Sequence, residues 1–410
     1  MLSNTISSMK TLPVELLHRI FDNLDAETIL LSIRPVSRLF RLVVDNYDRY
    51  VFDLKLISKS NFYLLCRLIS PKNVISLIFF NNQQTLGQLD LFLSLVRLQE
   101  FTRLRSLIFI NIDEFQLNFI LKRINCNTLT SLSCNIRIYD ARYKNATTSR
   151  LSSIIAQSTL RKLKLDISAE RMLEISWPSI CTIEYLTIND RITMDNLCKI
   201  SQCSPDLHTL VMKKTSQYIT NNLTLANHLA INFRQLTSLI IDEIDVTIDQ
   251  LESFLLLTPS LIHLKLIDGQ NTLDRKRLID GERWEEFIKI NLPQLEKFEF
   301  YFNEWRLTKQ TKTDLELTIA SFRTPFWIEY KKWFVICECD MKYSFNIRLY
   351  SIPICTSSVF YTLNSKKIFS STYPMTIDQD VSVMDNINLV YFGLTQSVGD
   401  HTEEKVCYST

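Results

Sequence analysis

The sequence predicts an α/β fold built from repeated units in which a strand is followed by a helix. Nine times between Val74 and Phe300, three apolar residues recur with two and then one variable residue between them, at intervals of about 23 to 34 residues. Between these patterns the apolar residues take helical spacing. In three units a proline stands two residues before the first apolar residue, where it would end the helix: Pro205, Pro259 and Pro293.

The apolar triplets define the candidate core. The last two members of each triplet lie two residues apart, so on a strand both side chains point to the same face. A single unit cannot bury that face alone, and stacked neighbours would supply the rest of the core. The triplets are Val74/Leu77/Phe79, Leu104/Leu107/Phe109, Leu129/Leu132/Cys134, Leu160/Leu163/Leu165, Ile183/Leu186/Ile188, Leu207/Leu210/Met212, Leu236/Leu239/Ile241, Leu261/Leu264/Leu266 and Leu295/Phe298/Phe300.

These units resemble leucine-rich repeats. The resemblance implies a solenoid with a curved parallel sheet inside and helices outside. Helical spacing between the strands is clearest over residues 112–124, 193–205, 247–260 and 282–293. A doubly wound α/β domain also alternates strands with helices, and the irregular spacing of the units keeps that alternative open.

Residues 11–45 differ from the repeats because they show only helical periodicity. Pro13 suits a first helical position, Asp25 suits the N-cap of a second helix, and Pro35 is expected to open a third helix. A module of about 40 residues is at the size limit for independent stability, so part of its apolar surface is expected to need a partner.

The motifs Leu12-Pro13-x-Glu15-Leu16, Ile20-Phe21-x-x-Leu24, Leu30 and Val36-Ser37-x-x-Phe40 resemble an F-box. The resemblance implies a three-helix segment that binds the Skp-type adaptor of an SCF-type cullin-RING ubiquitin ligase, while the repeats bind a target protein. The adaptor-binding residues that it implies are Leu12, Pro13, Leu16, Ile20, Phe21, Val36 and Phe40. Alternatively, these helices only cap the first repeat, and the protein is an interaction scaffold with no role in a ligase.

The variable residues of each strand should form columns on the concave face. The expected middle column is Ile78, Ile108, Ser133, Lys164, Thr187, Val211, Ile240, Lys265, Glu299; the next is Phe80, Ile110, Asn135, Asp166, Asn189, Lys213, Asp242, Ile267, Tyr301. The apolar start of both columns indicates either contact with the segment that follows the F-box or a binding patch. The candidate substrate-binding residues are Lys164, Asp166, Lys213, Asp242, Lys265 and Tyr301; the alternative is an ordinary solvated sheet face.

Composition argues against several other functions. The chain has 410 residues, with Lys+Arg of 46 against Asp+Glu of 44, and lacks the concentrated basic face that nucleic acid requires. Its five glycines form no phosphate-binding loop, and its five histidines show no metal-ligand spacing. No cofactor, metal or catalytic residue is therefore expected. An enzyme with its site in the C-terminal segment would have His401 as its one histidine there.

The expected organisation is a disordered segment at 1–10, an F-box at 11–50, a leucine-rich-repeat solenoid at 51–302, a β-rich C-terminal cap at 303–400 and a flexible tail at 401–410. Within the cap, residues 322–355 and 387–392 read as strands, with Trp327, Trp333 and Phe345 as core. No apolar stretch approaches the length of a membrane span, so a cytoplasmic or nuclear protein with reduced cysteines is expected.

Overall fold

The computed structural model describes residues 12–81, 87–214, 233–268, 278–305, 310–340, 346–356, 358–362, 367–372, 389–393 and 405–409. These residues form a mixed α/β structure with two compact units. The first unit contains residues 1–189 and 202–206, and the second contains residues 190–201 and 207–410. Within the described residues, no helix is both long and apolar enough to cross a membrane.

The first unit begins with helices, as the sequence predicts. Helix α1 covers Val14–Phe21, a π-helical turn covers Thr28–Ile33, and helix α2 covers Arg38–Asp45. The Asp25 carboxylate accepts a hydrogen bond of 2.7 Å from the N–H of Thr28, which confirms its predicted capping role.

The prediction that Pro35 opens the third helix was wrong. Pro35 lies in the turn before α2, and the helix begins at Arg38. Its N-cap is Ser37, whose hydroxyl accepts a hydrogen bond of 3.2 Å from the N–H of Phe40. The side-chain cap at Ser37 thus determines where the helix begins, and Pro35 lies in the turn that precedes it.

Six strands of the first unit pair in parallel, each with the next along the chain. They are β1 (Tyr50–Asp53), β2 (Val74–Phe80), β3 (Ser106–Asp113), β4 (Ser131–Ile138), β5 (Lys162–Asp166) and β6 (Tyr185–Ile188). Helices lie between them: α3 (Lys59–Leu68), α4 (Gln88–Leu95), α5 (Glu114–Leu121), α6 (Lys144–Ile155) and α7 (Ala169–Glu174). Strand order therefore follows chain order, without the reversal that a doubly wound sheet contains.

The second unit continues the alternation of strands and helices. It contains most of α8 (Met194–Cys203), β7 (Thr209–Met212), β8 (Ser238–Ile244), α9 (Ile248–Leu255), β9 (His263–Asp268), α10 (Gly281–Asn291) and β10 (Lys297–Trp305). Strands β7, β8, β9 and β10 pair in parallel in this order. The helical spacing of residues 247–260 corresponds to α9, which carries a complete capping box between Thr247 and Gln250.

Register places equivalent residues of neighbouring units side by side. In the first unit Leu77, Leu107, Leu132, Leu163 and Leu186 are successive partners across β2 to β6. All 27 apolar residues of the nine triplets are at most 2% exposed. The apolar spacing therefore predicted both the strands and the face of each strand that is buried.

The C-terminal part of the second unit contains antiparallel strand pairs. Helix α11 (Lys312–Ala320) is followed by β11 (Val335–Asp340), β12 (Asn346–Ser351), β13 (Ser358–Thr362), β14 (Lys367–Ser371), β15 (Leu389–Gly393) and β16 (Lys405–Ser409). Strand β12 pairs antiparallel with β10 and with β11, which in turn pairs with β14. Strand β12 therefore occupies the edge of β10 that the parallel strands leave open.

Several predictions for this region were confirmed and one was wrong. Trp327 and Trp333 are buried, and strands occur in the segments around 335–340, 346–351 and 389–393. Residues 326–330 form a π-helical turn rather than a strand. Phe345 and residues 1–10 lie outside the described residues. The tail was expected to be flexible, but its residues Lys405–Ser409 pair antiparallel with β15.

Candidate functional site

Helix α1 has two apolar faces. Leu17 and Phe21, four residues apart, are buried, and the ring of Phe21 packs edge-on against Tyr47 with centroids 5.6 Å apart. Leu16 and Ile20 have the same spacing one position earlier, and Leu16 is exposed while Ile20 is half-buried. One face of the helix therefore forms the core of the module, and the second remains accessible.

Helix α2 repeats this arrangement. Phe40, Val43 and Val44 are buried, whereas Leu39 and Leu42 are exposed on the other side. Val36, in the turn before the helix, is also exposed. We call the accessible apolar set the helical face; it consists of Pro13, Leu16, Ile20, Val36, Leu39 and Leu42. Accessible apolar side chains at this density are typical of protein-binding surfaces.

The structure separates the predicted adaptor-binding residues into two groups. Pro13, Leu16 and Val36 are exposed, and Leu12 and Ile20 are half-buried. Phe21 and Phe40 are buried, so we assign them to the core of the helical module and not to the adaptor-binding surface. Sequence reasoning did not include Leu39 and Leu42 among the candidate surface residues. They are three residues apart, as are the buried Phe40 and Val43, and this spacing indicates a second face of the helix.

Hydrogen bonds attach the helical module to the strands and helices that follow it. The Glu27 carboxylate accepts hydrogen bonds from the N–H of Ser58 at 3.0 Å, its hydroxyl at 3.0 Å and the amide of Asn61 at 2.7 Å, at the start of α3. Partial burial acts to raise the pKa of Glu27, but the hydrogen bonds from Asn61 and Ser58 hold it below its usual range. Asp48 also pairs with Arg103 at 2.5 Å, so the module is fixed at two points.

The family model of the F-box domain matches residues 9–52. This part of the chain is an F-box domain. The match includes both exposed and buried members of its helices, from Pro13 to Val44. No curated protein sequence matches the chain.

Beyond the F-box, the register confirms the predicted middle column within each unit. In the first unit Ile78, Ile108, Ser133, Lys164 and Thr187 are successive partners from β2 to β6. In the second unit the partners from β7 to β10 are Val211, Ile240, Lys265 and Glu299. We call this side of the strands, opposite the buried triplets, the outward face.

The second predicted column is interrupted. In β3 the register shifts between Phe109 and Ile112, where Asn111 has a left-handed φ of 55°. In β8 it shifts between Ile241 and Ile244. The pairs Ile110 with Asn135 and Asp242 with Ile267 are therefore not in register, because each bulge inserts a residue that the spacing does not reveal.

The six candidate substrate-binding residues fall in both units. Lys164 and Asp166 lie in the first unit, where Lys164 is exposed and Asp166 accepts a hydrogen bond from the Asn135 amide. The other four lie in the second unit, where they have neighbours: Lys213 pairs with Asp242, and the Tyr301 ring stacks on Tyr350 with centroids 5.9 Å apart.

Residues 352–356 lie on the outward face of the second unit. Ile354 is buried in a cluster with Ile336 and Tyr350, against which Tyr301 and Ile352 also pack. Cys355, next in the chain, is buried within electrostatic range of Lys265, Glu299 and Asp242, and burial raises the pKa of its thiol to about 12. The expectation that this face is open to a substrate was therefore wrong for Tyr301 and its surroundings.

Three neighbouring strands bring a hydroxyl, an imidazole and a carboxylate into line. Ser238 Oγ lies 3.2 Å from His263 Nδ1, and His263 Nε2 lies 2.5 Å from Glu299 Oε2. Lys297 Nζ lies 3.0 Å from the same carboxylate oxygen. Burial acts to raise the pKa of Glu299, but its hydrogen bonds with His263 and Lys297 lower that pKa to about 2. The carboxylate thus stays ionised and links β10 to β9, and His263 extends the contact to Ser238 on β8.

Sequence reasoning missed this line because the three residues lie on different strands, 25 and 36 positions apart. Apolar spacing within one segment does not indicate which polar side chains of neighbouring strands are in contact. His401, the histidine on which an enzymatic reading would rest, lies outside the described residues. In the part of the chain that the structure describes, no three His, Cys, Asp or Glu side chains form a group that could hold a metal ion.

Proposed function

We propose that this protein is the substrate-binding subunit of an SCF-type ubiquitin ligase. The observation that carries the proposal is an F-box domain whose helices expose a second apolar face. In this proposal the helical face binds a Skp-type adaptor and, through it, a cullin ubiquitin ligase. Leu16 and Val36 would make central contacts, because both are apolar, exposed and dispensable for the core of the module.

We further propose that the strands and helices after the F-box are leucine-rich repeats that bind a target protein. Nine triplets with one spacing, all buried, and parallel strands paired in chain order support this interpretation. The chain itself would be non-catalytic. It would promote ubiquitin transfer by raising the effective concentration of the target at the ligase.

The attachment of the F-box to the repeats supports a positioning role. Glu27 holds the start of α3 through three hydrogen bonds, and Asp48 pairs with Arg103 in the turn before β3. A target bound to the first unit would then have a defined position relative to the adaptor. The same contacts also suit the alternative function, a scaffold in which the F-box helices cap the repeats without binding an adaptor.

Binding of the purified chain to a purified Skp-type adaptor tests the proposal. The variant Leu16→Asp/Val36→Asp changes two apolar residues that are 43% and 62% exposed, so it should stay folded. Burial of an apolar side chain contributes about 1.5–3 kcal/mol, so we expect affinity to fall by at least about tenfold. The matched control is Leu64→Asp/Leu56→Asp, at 47% and 64% exposure outside the F-box, which should bind like the original chain.

Circular dichroism of each variant shows whether its helices and strands are intact. A folded original chain that does not bind the adaptor would contradict the ligase proposal and leave the scaffold function. Equal losses in the test and control variants would show that the helical face is not the adaptor-binding surface.

A further inference from the structure

The outward face of the first unit has two lysines without an acidic partner. Lys162 and Lys164 lie two residues apart on β5, so both project to this face, and both are exposed. Among the described residues, neither ammonium lies within ion-pair distance of a carboxylate. On β4 their register partners are Ser131 and Ser133, which are small and add hydroxyl groups. Such a site favours an anionic group in a binding partner.

Apolar side chains lie on the same face, at a defined distance from the lysines. Ile108 is half-buried and shares the middle column with Ser133 and Lys164. Ile78 is its partner on the other side. Two strand spacings of about 4.8 Å separate Ile108 from Lys164, giving roughly 10 Å. Three residues of an extended peptide in the polyproline II conformation, at about 3.1 Å each, span this distance, and residues three apart in this conformation project to the same side.

Carboxylates on the same face mark the limits of this site. Asp53 is the register partner of Ile78 on the β1 side, and burial raises its pKa. Asp166 lies beyond Lys164 along β5 and accepts a hydrogen bond from Asn135. Both positions would repel an acidic ligand group if ionised. The lysine pair between them is therefore the favourable position for an anion.

The outward face of the second unit differs, because two of its lysines are paired with carboxylates. Lys213 pairs with Asp242, and Lys297 pairs with Glu299. Residues Ile354 and Cys355 are buried on the face near Lys265 and Tyr301. A ligand would have to displace part of the chain there, whereas among the described residues Lys162 and Lys164 of β5 remain exposed.

We propose that the outward face of β2–β5 binds an extended, acidic segment of a partner protein, with an aliphatic residue at Ile78 and Ile108 and an acidic residue three positions away at Lys162 and Lys164. The inference deepens the proposed function, since the segment would belong to the target protein. It requires no adaptor, so its test is independent of the F-box.

Fluorescence anisotropy with labelled peptides tests the proposal. The probes are Gly-Ser-Leu-Ser-Gly-Glu-Ser-Gly and its reversed sequence, because an extended peptide can cross the strands in either direction. We expect one of them to bind, and its affinity to fall when Gln replaces Glu or when salt concentration rises. Binding of the Gln peptides with the affinity of the Glu peptides would overturn the proposal, as would no binding by either direction.

Charge reversal identifies the surface. Lys162→Glu/Lys164→Glu should weaken binding of the Glu peptide about tenfold, because exposed ion pairs each contribute a modest energy and here two are reversed. The matched control is Lys72→Glu/Lys122→Glu, which changes two exposed lysines outside the strands by the same charge. Equal weakening in both variants would show a net-charge effect and overturn the assignment. Urea unfolding midpoints, expected to be unchanged, verify that both variants are folded.

Discussion

The outward faces of the two units are built from corresponding positions and have different chemistry. In the first unit Ile108, Ser133 and Lys164 follow one another across β3 to β5, and Lys164 is exposed. In the second unit Lys265 and Glu299 occupy the same column, and Glu299 is buried with His263 and Lys297 as partners. Equal spacing in sequence therefore does not imply equal access to a partner.

The difference follows from what is packed on each face. The second unit contains residues 352–356 and the antiparallel strands β12, β11 and β14, which supply its outward face with apolar and charged neighbours. Buried charges need partners, and Glu338 accordingly lies against Arg348 and Lys367. On β5 of the first unit, Lys162 and Lys164 remain exposed. Stability should therefore depend on outward-facing residues in the second unit and hardly at all in the first.

The largest effect should come from removing a buried charge partner in the second unit. Glu338→Ala leaves Arg348, which is 8% exposed, without its carboxylate at 3.1 Å. Loss of one partner of a buried ion pair costs about 3–5 kcal/mol. Chemical denaturation of the full chain measures this cost, with Lys164→Ala in the first unit as the control, expected within about 0.5 kcal/mol. Similar costs for both variants would remove the contrast between the faces.

A smaller effect should follow from shortening the apolar residue that anchors residues 352–356. Ile354→Ala should cost about 2–4 kcal/mol because the side chain is buried against Ile336 and Tyr350. Ile108→Ala makes the same change at a half-buried position of the first unit and should cost less than about 1 kcal/mol. Urea unfolding of the two variants compares them directly, and an Ile354→Ala cost no larger than that of Ile108→Ala would show that the segment is not held on the face.

The smallest effect should appear in the pH dependence of stability. The folded pKa of Glu299, about 2, is below the ordinary value of a glutamate. Ionised Glu299 therefore stabilises the fold fully above pH of about 4.5, and this stabilisation is lost as pH falls through about 2. Hydrogen bonds to charged groups contribute about 1.5–3 kcal/mol, so an effect of about 2 kcal/mol is expected.

The measurement is the difference in unfolding free energy between the original chain and Glu299→Gln at pH 6 and at successively lower pH. Other carboxylates titrate in both proteins, and their effects cancel in this difference. The difference should shrink as the solution is acidified. A constant difference down to pH 2 would contradict the role of the ionised carboxylate.

Much of the fold could be predicted because apolar spacing is a local property with a direct physical meaning. Residues such as Leu132 and Leu239 are buried wherever the triplet occurs, since positions two apart on a strand share a face. The F-box could be located for a similar reason, as its helices carry a compact set of local motifs. Helix boundaries were harder to predict from the sequence, because the start of α2 at Arg38 depends on the cap at Ser37.

The candidate sites could be predicted only in part, because access depends on distant residues. The spacing of α1 and α2 identified apolar residues but did not separate Leu16, which is exposed, from Phe21, which packs on Tyr47. The middle column placed Lys265 correctly on its face, yet did not show that Cys355, 90 positions later, lies near it. The bulge at Asn111 likewise has no signature in the spacing.

The sequence by itself determined the strands β2 to β10, the buried face of each and the position of the F-box, because each depends on a period of a few residues. Tertiary structure decided which charges are paired. Glu114 and Arg171 look like surface residues in the sequence, but they form a buried two-point pair at 2.9 and 3.0 Å across 57 positions. Whether a charged side chain is buried and which residue it pairs with depend on segments that are far apart in the sequence. Only the folded structure shows which of these segments pack together.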